Sequence, residues 1–111
     1  MSLFWVACNK AEGDTPEIKR SVLVDVLVDI HITDGYLIQA GYQPMKNHDE
    51  IIDSYDYVLK KHNISPKQFK NTIKYYSKHL PEYERIYDEV MAKLTAIESQ
   101  YLYNHTQNDN K

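Results

Sequence analysis

The breakers in this chain constrain its fold more than any other feature. Its four prolines and three glycines leave four uninterrupted stretches, each with apolar residues spaced three and four apart. That spacing is the repeat of one face of an α-helix. With so few residues suited to tight turns, hairpin-linked strands fit poorly and long helices fit well.

The first stretch opens at Asp14, with Glu17 at capping-box spacing and Pro16 in a first turn. Ile18, Val22, Leu23, Val26, Leu27, Ile30, Leu37 and Ile38 follow at helical spacing, and Val24, Val28 and Ile32 widen the apolar surface. Only Asp25, Asp29 and Thr33 are left as a wet strip. The run "SVLVDVLVDI" has the valine content of a strand, but its length and its aspartates four residues apart favour helix. Gly41 fits the position just past the helix end, and Pro44 enforces the stop. A second helix is expected from about Asn47, with Glu50 as box partner, burying Ile51, Ile52, Tyr55, Leu59 and His62. Asn63 can take the left-handed conformation that ends it, with Ile64 folding back as the apolar contact.

"SPKQF" is the clearest boundary in the chain. Ser65 caps, Pro66 takes the first helical position and Gln68 closes the box. The third helix should bury Phe69, Ile73, Tyr76 and Leu80, and Pro81 should break it and start the fourth. There Tyr83, Tyr87, Val90, Leu94, Ile97 and Tyr101 follow at spacings of 4, 3, 4, 3 and 4. This heptad seam is expected to face the interior rather than serve as an exposed zipper. The closing "NHTQNDNK" has nothing to bury. A chain of 111 residues suffices for one core. The expected architecture is therefore all-α: a tether over residues 1–13, a small bundle of four helices over 14–103, and a disordered tail over 104–111.

The N-terminus poses a separate question. "FWVAC" leads into the only cysteine of the chain, and "NKAEGD" turns polar at once. One cysteine makes no intrachain disulfide, and no CxxC or Cys/His spacing marks a zinc site. "VAC" fits the end of a bacterial lipobox, in which a small residue precedes a cysteine that becomes lipidated. Trp5 stands where Leu, Val or Ile is usual, and the stretch ahead of Cys8 is shorter than a secretory signal. The competing reading is an incidental thiol behind an apolar start.

Taken together, a cysteine-led start, "VDVLVDIHITDGYL" and "YDYVLKKHNISPKQFKNTIKYYSKHLPEYERIYDEVMAKL" resemble the Bacteroidetes lipoprotein family known as domain of unknown function 4296, over about residues 8 to 100. The "KKHNISPKQF" and "YYSKHLPEYERIYDEV" stretches are its most distinctive part. The resemblance implies a small helical protein of the cell envelope, on the periplasmic face or the cell surface. It would be tethered to a membrane through a lipidated Cys8, with "FWVA" a signal remnant and the preceding signal lying upstream of Met1. No established activity comes with it.

Candidate sites are few. Lys67, Lys70, Lys74 and Lys78 form a stripe opposite Phe69 and Ile73 that phosphates or lipid head groups could meet; the plainer reading is a solvated face. The net charge is only −3, and no aromatic platforms alternate with the lysines, so nucleic acid is not an expected partner. Of the ten tyrosines, Tyr57, Tyr75 and Tyr103 fall off the main stripes and could form a contact surface; ordinary packing at element edges competes with this. Asp34 falls well inside the apolar face of the first helix, one turn from His31, with Gly35 beside it. A carboxylate there needs a partner. The two are either an acid–base or metal-binding pair, or a polar link that fixes the helix against a tyrosine or a backbone group. Apart from this pair, no catalytic constellation, phosphate loop, metal-ligand set or cofactor motif stands out. The reading favoured is a non-enzymatic module that binds an envelope protein. The alternatives are a small hydrolase or metal-dependent enzyme centred on His31 and Asp34, and a periplasmic chaperone-like module, for which "HNISPKQFKNTI" shows a short likeness to peptidyl-prolyl isomerase chaperones.

Overall fold

The computed structural model describes residues 15–109. Four helices follow one another: α1 (Arg20–Gln39), α2 (His48–Lys61), α3 (Pro66–Ser77) and α4 (Leu80–Asp109). No strand occurs among the described residues. Each helix packs on the next, α4 returns to α1, and the diagonal pairs α1–α3 and α2–α4 stand apart, so the helices form a ring. None of the described helices is long and apolar enough to cross a membrane.

The core is centred on α1. Leu23, Val24, Val26, Leu27 and Val28 are all buried, which requires neighbours on more than one side. Valine is a modest helix former, so this helix owes its stability to packing rather than propensity. From α4, Ile86 and Val90 meet it with no exposed surface. The wet strip is narrower than expected. Asp25 pairs with Lys93 of α4 at 2.8 Å in the open, but Asp29 is largely covered.

The caps follow the local sequence closely. At the end of α1, Tyr42 N–H donates to the Leu37 carbonyl at 3.0 Å and Gly41 to Ile38 at 3.1 Å, with Gly41 at φ 82°. Asn63, at φ 58°, repeats this at the end of α2, where Ile64 N–H reaches the Leu59 carbonyl at 2.9 Å and Ile64 is buried. Both are Schellman closures, which satisfy the last carbonyls of a helix through a left-handed residue. At the start of α3, Ser65 Oγ accepts from Gln68 N–H at 3.1 Å and Ser65 N–H donates to Gln68 Oε1 at 2.9 Å. The capping box is complete.

Four expectations are corrected. α1 begins at Arg20, not at Asp14, which lies outside the described residues; Lys19 is its N-cap and provides no side-chain cap. Glu17 works elsewhere: its N–H donates to Thr72 Oγ1 at 3.2 Å, and its carboxylate accepts from Asn71 Nδ2 at 3.3 Å. Residues 15–19 thus strap the preceding chain to α3, burying Ile18, Asn71 and Thr72. Asn47 stands at the N-cap of α2 without capping it; its Oδ1 accepts from Gln43 N–H at 3.0 Å instead. The break after α3 falls at Lys78 and His79, so Leu80 opens α4 and is exposed. Ile52 is likewise exposed, at the end of the α1–α2 hairpin.

The fourth concerns the tail. α4 continues to Asp109, past the expected end at Tyr103. Adding residues to a nucleated helix is cheap, and local bonds favour it here: Gln100 to Asn104 at 3.3 Å and Thr106 to the Leu102 carbonyl at 2.9 Å. At 1.5 Å per residue α4 is about 45 Å long. The seam faces the interior only through Leu94; Ile97 and Tyr101 are exposed.

Candidate functional site

The ring leaves a cleft of about 410 Å³ at its middle, lined by two residues from every helix: Leu27 and Ile30, Tyr55 and Leu59, Phe69 and Ile73, Tyr83 and Tyr87. Each pair is spaced three or four apart, so each helix turns one continuous patch inward. Four of the eight are aromatic. A tyrosine inside a bundle keeps its hydroxyl near water or a partner; Tyr83 and Tyr87 accordingly remain half-buried against the core. Their rings meet at 5.0 Å and 65°. Burial first, and then the Tyr87 hydroxyl beside it, push the Tyr83 phenol up to about 12.

The far wall is Tyr55. Its hydroxyl donates to the Asp34 carboxylate, and that bond, followed by burial and by the carboxylate's charge, raises its pKa to about 12. Tyr55 and Asp34 also border a second cleft of about 330 Å³ with Leu37, Ile38, Tyr42 and Ile51. The Tyr55–Asp34 bond thus stands between two apolar hollows and ties α1 to α2.

His31 and Asp34 are therefore not joined as a pair. Asp34 is taken by Tyr55, and the His31 ring meets Tyr87 edge-on at 5.9 Å and 90°. Lys67, Lys70, Lys74 and Lys78 are exposed and line none of these clefts. Tyr57 is exposed and lines a shallow groove with Ile32, Thr33, Tyr36, Asp53 and Ser54. Tyr75 does not share that surface: it is partly buried against the core and stacks on His79 at 4.1 Å. Tyr103 is exposed on the far part of α4. Cys8 lies outside the described residues.

Sequence reasoning missed one cluster. Asp29 Oδ2 lies 2.6 Å from His62 Nε2 and accepts from Lys61 Nζ at 3.2 Å, joining α1 to the end of α2. Burial pushes the Asp29 carboxyl up, but the bonds from His62 and Lys61 outweigh it and hold the group below its usual value. The available signal was Asp29 itself, set between Val28 and Ile30 on a helix with little uncovered surface. Among the described residues, no three His, Cys, Asp or Glu side chains converge as metal ligands.

Fold and cleft together define a small all-α bundle with a tyrosine-lined apolar hollow at the centre of its helix ring. The profile of the family described as "Domain of unknown function (DUF4296)" matches residues 16–100, and the chain belongs to that family. No curated protein and no solved structure is significantly similar to it.

Proposed function

We propose that this protein is a non-enzymatic binding module of the bacterial cell envelope. In this reading it is anchored to a membrane through a lipidated Cys8 and holds an envelope protein by an apolar group seated in the central cleft. The observation that carries the binding role is the cleft's construction. Its volume, about 410 Å³, lies in the range of small ligand sites, and its mostly apolar wall with a few polar groups is the usual composition of one. The polar groups around it already have partners, Tyr55 with Asp34 and His31 with Tyr87, which suits holding a ligand better than activating one. The cysteine followed by a polar stretch, in a family resembling Bacteroidetes lipoproteins, supports the anchor.

Ile73→Trp, which fills the cleft from α3, tests the binding role. In cells of the native organism, the wild-type chain should retain a membrane protein on mild extraction. The Ile73→Trp chain should lose it at least tenfold with unchanged helical circular dichroism. Equal retention by both would reject the cleft as the binding surface.

A further inference from the structure

All polar and ring contacts recorded between α1 and α4 fall at residues 87 to 93 of α4: Tyr87 with His31, Glu89 with Arg20 and Lys93 with Asp25. Beyond Leu94 the helix projects from the bundle, and its recorded side-chain bonds are to its own turns. An isolated helix of this length is marginal in water. This one also carries the continuation of the interior seam, Ile97 at 48% and Tyr101 at 58% exposure.

We infer that the distal half of α4 pairs antiparallel with the same segment of a second copy of this chain. Three observations choose this occupant and direction. First, α1 already occupies the seam as far as Leu94, so a parallel partner lying on Ile97 and Tyr101 would drive the two α1 helices into each other. An antiparallel partner instead carries its own α1 beyond the tip of the first helix. Second, with Tyr101 at the two-fold axis, Ile97 lies opposite His105 of the second copy and Leu94 opposite its Asn108. The apolar half of each seam then covers the polar half of the other, and self-complementarity is what a two-fold interface requires. Third, the flanking charges match in this register: Glu98 faces the second copy's His105, Lys93 faces its Asp109, and no like charges meet. The contact falls below the ~1,200 Å² of weak, transient encounters, so association is concentration-dependent.

The test uses the full chain with Cys8→Ser, which removes the native thiol. Sedimentation from micromolar to millimolar concentration should show a monomer–dimer equilibrium. Ile97→Glu should weaken it at least tenfold without loss of helix, since Ile97 lies outside the bundle. A mixture of Ile97→Cys chains and His105→Cys chains should cross-link with each other in preference to themselves. A chain that remains monomeric at millimolar concentration overturns the proposal, as does a dimer indifferent to Ile97→Glu or preferential 97-to-97 linkage. Binding of a monomeric chain to phospholipid vesicles that is lost in Ile97→Glu would assign the face to a lipid surface and equally overturn it.

Discussion

Tyr55 fastens α1 to α2 through Asp34 and borders both apolar hollows, so its protonation state bears on stability and on the site together. Its phenol is raised from the ordinary 10 to about 12. Between those values an unfolded chain has released the proton while the folded chain keeps it. Stability from this group is complete below about pH 10 and drains away as pH rises toward 12. Tyr55→Phe should remove the late-titrating phenol from the ultraviolet tyrosinate curve. It should also lower unfolding free energy at neutral pH by about 1.5 kcal/mol, the low end for a bond to a charged group, because Asp34 is partly solvated. An unchanged tyrosinate curve would mean the bond does not form. The need for a partner at position 34 was legible, because the wheel sets a carboxylate among Leu27, Ile30, Leu37 and Ile38. Which residue answers it was not: Tyr55 stands 21 positions away, brought there by the register of the α1–α2 hairpin. Asp29 misled for a related reason. Its face looks polar on the isolated helix and is covered only when the end of α2 supplies His62.

At the scale of the element, boundaries set by local chemistry were legible and those set by tertiary contact were not. Gly41, Asn63 and Ser65 close or open helices through bonds within a few residues of themselves. The start of α1 was not legible, because Glu17 serves α3 rather than its own helix. The heptad seam of α4 gave a period without saying where the neighbouring helix ends, and only its first half is covered. Ser65 allows a quantitative check. Ser65→Ala should lower unfolding free energy by about 1 kcal/mol through two unmet backbone donors, whereas Ser65→Asp should largely preserve it. Equal midpoints for the two variants in urea would show that the box contributes nothing to α3.

At the scale of the molecule, the fold class followed from the four apolar stretches, while the site followed from none of them. Leu27, Leu59, Phe69, Ile73, Tyr83 and Tyr87 were each legible as inward-facing, and inward-facing residues are normally core. That they line an open hollow depends on the ring closing without its diagonals meeting, which no single stretch encodes. The features that stood out in the sequence, the lysine stripe of α3 and Tyr57, lie away from that hollow. The two surfaces can be separated by one measurement: photocross-linking in native membranes with a benzophenone amino acid in place of Phe69, inside the cleft, or of Lys70, on the outer face of the same helix. A binding module that works through its central cleft gives a discrete adduct from position 69 and none from position 70. An adduct from position 70 alone would contradict the account and move function to the lysine face.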